Sequence, residues 1–595
     1  MSTPRDTSTR DGWALLRSTL RSQRKGLTLG VLVGLAWSVG KLAVPSLTRL
    51  AIDRALATRR ESVAKWVVLI VLAGVVAGLF VALRRWYAFR EARWAETSLR
   101  EQLYVHLQRL HVAFHDEAQT GQLMARASTD LQQVQAFVVM IPLTISNLAM
   151  VAAVTVLLLL RDALLAVVAL APLLFINYLA NRFSRTIHPA VMAVQQESAE
   201  LATVVEETVT GIRVVKGFGA EPVQAAKLAK EADDVRAAAL EAARIRATYL
   251  PLIDLLPALG LIAVLAIGGH RVLSGRMTVG SLVEFNVYVT LLIWPLRNLG
   301  MTVAGAQRAA AALQRVHEIL AVDPLIVDAP HPSSLPSRKP GRSVGKVEFR
   351  DVRFGYDPLR PVLDGFSLVI EAGTSVAVVG ATGSGKSTVA RLLARFYDVQ
   401  SGAIELDGTD LRRLRLADLR HGVGIVFEDT FLFTDSVAAN IAFAEPDAPF
   451  DRIEAAARLA GAHDFILRLP DGYATELGER GLSLSGGQRQ RVAIARAILA
   501  DPRVLVLDDA TSAVDPSKEQ EIRDALGTAM TGRTTIVIAH RAATIALADT
   551  VVLLDHGRAV ARGTHEELLA TNAQYREVLA AWAERDSEAI EAGVD

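Results

Sequence analysis

The chain has no cysteine among its 595 residues, which excludes disulfides, thiol nucleophiles and thiolate metal sites. It also lacks a charge excess. Sixty-four Lys and Arg against 63 Asp and Glu leave a net +1, so the overall balance gives no reason to expect nucleic acid or another polyanion as partner. The first 25 residues have no apolar run before Leu27, so they do not read as a secretory leader. Trp13, Leu16 and Leu20 instead fall on one helical face beside Arg17, Arg21, Arg24 and Lys25. That pattern suits a short basic helix in a membrane interface, with a plain solvated helix as the alternative.

Apolar residues are abundant. They make up 51% of the chain, which is high for a soluble protein and expected of one partly embedded in lipid. The spans predicted are about 27–50, 65–88, 137–160, 163–182, 249–270 and 279–303, each near the roughly 20 residues that cross hydrocarbon. The third and fourth are separated by little more than Arg161-Asp162, and the fifth and sixth by a short turn over 270–277. The other two internal connections, 89–136 and 183–248, are long and rich in Ala, Glu, Gln and Arg. Helices that continue past the membrane are the expectation for both. Arg84, Arg85, Arg90, Arg93, Arg100 and Arg109 flank the first connection, and Arg182, Arg185, Arg213, Lys216, Arg244 and Arg246 the second. Positive charge on this side puts both connections and the N-terminus in the cytoplasm.

The composition changes at 324–343, where five prolines among serines and glycines read as a linker. Beyond it, the segments 347–350 and 368–370 read as strands, the short apolar segment 375–380 as another, and 424–427, 504–507, 535–538 and 551–554 predict further buried strands of an α/β domain over 344–583. An acidic tail is expected over 584–595.

The run Gly380-Ala381-Thr382-Gly383-Ser384-Gly385-Lys386-Ser387-Thr388 follows one of these strands and opens a helix. Glycines let backbone N–H groups turn inward, and a helix N-terminus adds favourable partial charge, so this is a phosphate cradle. Lys386 is expected to reach the β- and γ-phosphates and Ser387 to ligate Mg²⁺. Asp508 ends an apolar strand downstream and fits the second metal carboxylate of a Mg·ATP site. A phosphate loop alone leaves kinases, GTPases and repair ATPases open. Leu484-Ser485-Gly486-Gly487-Gln488 narrows the choice, because it resembles the signature loop of ATP-binding-cassette (ABC) proteins.

That resemblance covers the whole chain, whose order of spans, linker and cassette is similar to a bacterial exporter-type half-transporter. It implies a membrane all-α domain of six helices with long cytoplasmic extensions (type I exporter fold) over 1–323, including an elbow helix at about 10–25, followed by an α/β phosphate-loop cassette. It also implies roles. Tyr356 matches the aromatic that stacks on adenine, Glu428 stands at the glutamine-loop position, and His540 matches the γ-phosphate histidine. Ser512-Ala513-Val514-Asp515 matches the loop that crosses the cassette interface, and residues 475–481 the loop that meets the membrane-domain helices. Phe114, His115, Asp116, Thr120, Gly121, Arg126 and Asp130 resemble a first coupling connection; Glu207, Gly211, Ile212, Val215, Lys216 and Phe218 resemble a second. In this family ATP lies between the phosphate loop of one cassette and the signature loop of another, so Ser485, Gly486, Gly487 and Gln488 serve a partner's nucleotide and a dimer is required.

Two positions depart from the family pattern. Asp509 follows the metal aspartate where a glutamate is expected, and Glu428 replaces a glutamine. One methylene fewer retracts the carboxylate by about 1.5 Å, and a base must lie within hydrogen-bond reach of its water. Glu428 can still ligate a metal but adds negative charge beside the γ-phosphate and loses an amide donor. Three readings follow: a slow site paired with a different chain that brings the catalytic glutamate, a homodimer with two slow sites, or Glu428 replacing Asp509 as base.

The function expected from all this is ATP-driven alternating-access transport, by family analogy export of an amphipathic or lipid-like compound. The cofactors are ATP and Mg²⁺, the partners a second half-transporter and membrane lipid, and the location is the cell membrane with the cassette in the cytoplasm. A nucleotide-gated channel or regulatory subunit is the alternative of another class. Asp254 and the pair Glu284/Asn286, polar within apolar segments, read equally as a substrate or proton path and as interhelical hydrogen bonds.

Overall fold

The computed structural model describes residues 9–59, 61–337, 344–478, 481, 484–509, 519–539 and 541–591. It divides into two compact units, Met1–Arg109 with Gln119–Asp323, and Leu110–Ala118 with Pro324–Asp595.

The first unit contains α1 (Thr9–Ser22), α2 (Arg24–Leu50) and α3 (Val63–Arg109). The chain then passes through α4 (Val112–Glu117), which belongs to the second unit. It re-enters the first unit with α5 (Thr120–Ala125), α6 (Leu131–Arg161), α7 (Ala163–Thr210), α8 (Ile212–Gly217), α9 (Glu221–Leu273) and α10 (Val279–Leu320). Six helical stretches among the described residues are long and apolar enough to cross a membrane. The three that run on into the long connections, α3, α7 and α9, reach 47, 48 and 53 residues. Their apolar halves pass into Ala-, Glu- and Arg-rich sequence that keeps high helix propensity, so nothing ends the helix at the hydrocarbon boundary. Where helices do turn, the caps are local. The Asp162 carboxylate accepts the Leu165 N–H at 3.0 Å to start α7, and the Thr278 hydroxyl accepts the Ser281 N–H at 3.1 Å to start α10.

Packing in this unit gathers into two apolar clusters. One contains Val154, Leu158, Leu165, Ala169 and Val264; the other contains Leu99, Val134, Leu313 and the alanines Ala88, Ala92 and Ala95 on α3. Small side chains there let neighbouring helices approach closely. Leu16 of α1 joins the second cluster, and Trp13 meets Phe137 edge-on at 5.8 Å. The apolar face expected to lie in a membrane interface is therefore used against the bundle. On the opposite side of α3, Val67, Val68, Leu72, Val75 and Leu79 are exposed, a stripe suited to hydrocarbon.

Glu284 belongs to an interhelical tie. It is buried, accepts the Ser46 hydroxyl at 2.7 Å, and faces Arg49 at 3.4 Å and Arg161 at 3.7 Å. Residues of α2, α6 and α10 thus meet on one carboxylate. Asp254, by contrast, is exposed on α9.

Among its described residues the second unit has ten strands: β1 (Val347–Phe354), β2 (Leu363–Ile370), β3 (Ser375–Val379), β4 (Ser401–Leu406), β5 (Thr409–Asp410), β6 (Val423–Val426), β7 (Val504–Asp508), β8 (Thr534–Ile538), β9 (Thr550–Asp555) and β10 (Arg558–Gly563). They form an antiparallel sheet in the order β2-β1-β4-β5 and a larger sheet in the order β10-β9-β3-β8-β7-β6. Strands β9, β3, β8, β7 and β6 run parallel. Covered on both faces, β3 and β8 are buried at every position, hence their mostly apolar sequence, with Ser375, Thr534 and Thr535 as buried hydroxyls. The exposed hairpin strand β10 carries no such run and escaped the sequence reading, as did β4.

Three boundaries differ from the sequence expectation. Residues 110–118 leave the 1–323 domain for the second unit, tied there by the hydrogen bond from the Tyr397 hydroxyl to Asp116 and by Leu325 N–H on His111 Nδ1 at 3.3 Å. Part of the expected linker is docked: Ser333 bridges Leu414, and Asp328 accepts the Leu416 N–H at 2.7 Å. The last helix, Ala573–Glu591, continues past 584, since Ala, Glu and Arg there are strong helix formers despite their charge.

Replacing Glu284 by Ala is expected to leave Arg49 and Arg161 uncompensated and to cost on the order of 3 kcal/mol, read as a lower thermal unfolding midpoint of the full chain in detergent. An unchanged midpoint would remove the structural role.

Candidate nucleotide site

Parallel strands bring all their C-terminal ends to one edge of a sheet, and ligands of such sheets bind there. At this edge β3 runs into the turn Gly380–Gly385 and then into α11 (Lys386–Leu393). A Cβ at Gly380 would lie 2.3 Å from the Leu554 carbonyl, and Gly383 and Gly385 adopt φ of +83° and +104°, conformations that side chains resist. Gly385 gives α11 no side-chain cap, so the first-turn N–H groups aim into the turn, where an anion would accept them. The Lys386 ammonium is buried over this turn and donates to the carbonyls of Gly380 and Ala381, both at 3.0 Å. The hydroxyl of Ser384 is buried without a partner. Thr382 is exposed at the rim and Thr388 is buried beneath it.

Asp508 stands at the end of β7, and the Ser387 hydroxyl donates to its Oδ1 at 3.2 Å across 121 residues of sequence. Folding thus joins two of the three predicted metal ligands. Glu428 follows β6. Burial first, then the charges of Asp508 and Asp429, push its pKa up. Asp509 is buried at φ +44°. Its pKa is raised to about 6, chiefly by burial and next by the charge of Glu428. Three carboxyl groups therefore share one edge of the sheet and repel one another. Arg541, not singled out from sequence, favours the ionised form of Asp509. The set is all oxygen, a hydroxyl and carboxylates, which fits Mg²⁺ better than a softer ion. When bound, the ion would supply positive charge between phosphate and carboxylates; Ser387, Asp508 and Glu428 are the residues to hold it.

Tyr356 stands beside the loop, 47% exposed, with its hydroxyl 3.4 Å from the Thr388 hydroxyl, and offers a free ring surface to a base. The signature segment is elsewhere, at the start of the helix Gly486–Ala500. Ser485 Oγ accepts the Gln488 N–H at 3.4 Å, and Gln488 Oε1 accepts the Ser485 N–H at 2.9 Å. This capping box satisfies two end donors reciprocally. Gly486 and Gly487 keep the rest of the helix start free of side chains, so a phosphate could approach it. His540 and Asp515, with the whole segment 512–515, lie outside the described residues, as do Glu479 and Arg480 of the 475–481 loop.

Of the coupling positions, Asp130 is buried and paired with Arg315 at 2.8 and 2.5 Å, and Arg126 faces Glu318 at 3.5 Å. On the second connection, Glu207 pairs with Lys227 at 3.1 Å while Ile212 and Phe218 are exposed.

Known proteins share both halves. Residues 27–296 match the ABC transporter transmembrane region and residues 363–512 the ABC transporter domain. An ATP-dependent lipid A-core flippase of Legionella pneumophila (strain Paris) is 35% identical, over 93% of each chain. The chain belongs to the ABC transporter family. A multidrug efflux ATP-binding/permease protein of Mycobacterium bovis (strain BCG / Pasteur 1173P2) is 41% identical over 95% of the transporter, which spans only 47% of that longer relative. The structure of a bacterial Atm1-family ABC exporter with ATP bound matches with a TM-score of 0.74 and 32% identity, covering 95% of the transporter and 98% of that chain. The fold is thus the exporter fold, with six apolar helices and an α/β cassette.

The raised pKa of Asp509 makes a pH prediction for the transporter without nucleotide. Its folded value of about 6 exceeds the ordinary 3.8, so the native state holds the extra proton between those values and loses stability as pH rises through the window. Asp509→Asn removes that penalty. It is expected to stabilise by about 2 kcal/mol at pH 7.5 and by little near pH 4, measured as thermal midpoints across pH. A gain that does not depend on pH would contradict the assignment.

Proposed function

We propose that this chain is an ATP-driven half-transporter that works as an asymmetric dimer, its own phosphate loop forming the slow site. One observation carries the reading: the phosphate loop and signature helix are complete, while Asp509 and Glu428 alter the two positions around the γ-phosphate. Lys386 and the α11 N-terminus bind phosphate, Ser387 and Asp508 hold the metal, and Tyr356 stacks on the base. A shortened carboxylate at 509 orients water poorly. Ser485, Gly486, Gly487 and Gln488 then complete a second site whose phosphate loop and glutamate come from another chain. Asp515 at the cassette interface and His540 at the γ-phosphate keep the roles implied by the family. The length of the mycobacterial relative, which leaves room for a second unit of this size, supports pairing of two unlike halves.

The helices named above span the cell membrane with the cassette in the cytoplasm. The compound moved is amphipathic or lipid-like, and the direction is export, by likeness to the flippase and efflux relatives. Glu428 offers a second reading. Its charge acts directly on Asp509, so it is near enough to the reacting region to serve as base in place of Asp509.

The purified chain alone is expected to hydrolyse ATP slowly, and Asp509→Glu to raise turnover on the order of 10²-fold by restoring reach. Brisk turnover of the unaltered chain, abolished by Asp509→Asn, would rule out the slow-site reading. Loss of that turnover in Glu428→Gln would favour Glu428 as the base.

A further inference from the structure

Helix α4 has no buried residue, so edge contacts hold it to the second unit. One of these leads to the base site. The Tyr397 hydroxyl donates to the Asp116 carboxylate at the end of α4. The Tyr397 ring stands edge-on to Tyr356, with centroids 5.2 Å apart and planes at 87°, and tilted against Phe354 at 5.5 Å. Phe354 in turn meets Tyr356 edge-on at 5.1 Å. Arg391 of α11 donates to the Tyr356 hydroxyl at 3.3 Å, and that hydroxyl also neighbours Thr388, next in sequence to the metal ligand Ser387. Three rings and two polar bonds therefore link the phosphate-loop helix to α4.

Edge-to-face pairs are directional, so the Tyr356 ring cannot turn without disturbing Tyr397. The phenol of Tyr397 is held neutral, its pKa pushed up by burial and by the bond to Asp116, and it stays a donor to that carboxylate throughout the physiological range. Asp116 lies a few residues along the chain from the C-terminus of α3 and the start of α5.

We propose that Tyr397 is a positioning residue that reports occupancy of the base site at Tyr356 to helix α4 through its bond to Asp116. This rests on Tyr356 being the residue that stacks on adenine. A base seated against the exposed face of Tyr356 fixes that ring, the fixed ring fixes Tyr397, and the phenol then holds Asp116 and α4. With Tyr356 mobile, α4 is held loosely. The role belongs to the hydroxyl: phenylalanine at 397 would keep the aromatic packing and cut the link.

The test is hydrogen–deuterium exchange of residues 110–118 in the full chain in lipid nanodiscs, with and without Mg·ATP, alongside ATP affinity. In the unaltered chain ATP is expected to slow exchange there about fivefold or more. Tyr397→Phe should bind ATP within about twofold of normal, yet show less than about twofold slowing relative to its own nucleotide-free rate. Asp116→Ala, which removes the acceptor, should do the same, and the double variant should be no worse than either single change, because both remove one bond. Full slowing in Tyr397→Phe overturns the proposal, as does an unaltered chain whose α4 ignores ATP. Tyr356→Ala separates the underlying reading. Unchanged ATP affinity there sinks base stacking and the proposal with it, whereas weakened affinity beside a fully responsive Tyr397→Phe sinks the link alone.

Discussion

Five parallel strands carry their C-terminal ends to one edge of the sheet, and the phosphate loop and the carboxylates of the metal site depend on that constraint. The glycine turn leaves β3, Glu428 follows β6, and Asp508 and Asp509 close β7. None of these segments is near another in sequence. Because parallel pairing fixes strand direction, their loops have no other edge to occupy, and positive α11 faces negative carboxylates across a short gap.

The same crowding makes the site electrostatically demanding. Burial raises the pKa of Asp508, Asp509 and Glu428 alike, and neighbouring carboxylates push Asp509 and Glu428 up further. A divalent cation with its nucleotide relieves part of that repulsion. An amide at 428, as in the family pattern, would add no charge. The glutamate here raises the electrostatic demand at the position where negative charge gathers during phosphoryl transfer. Functional asymmetry between two cassettes thus has a source in the charge and reach of two side chains, while the backbone of the fold is unchanged.

Much of the architecture was legible because lipid and parallel sheet both impose simple patterns. Apolar runs near 20 residues announce membrane helices, and short, mostly apolar runs announce strands such as β3 and β8, buried on both faces. The phosphate and signature loops were legible for a different reason: their glycines are demanded by backbone approach and so leave a fixed spacing. Strands β4 and β10 were not legible, since an edge or half-exposed strand needs no continuous apolar run. The docking of α4 was also hidden. Val112–Glu117 reads as ordinary helix, and nothing local reveals that Asp116 finds Tyr397.

The sequence by itself determined the membrane helices, the buried strands, the phosphate cradle, the metal residue types and the shortened side chain at 509, because each follows from local propensity or from chemistry carried within a few residues. Only the tertiary structure decided which distant groups share a field. It set Glu428 against Asp509, closed Glu284 between two arginines, and moved residues 110–118 into the second unit. Those outcomes rest on contacts between segments far apart in sequence, whose distances depend on strand order and helix packing, and no periodicity or motif spacing encodes them.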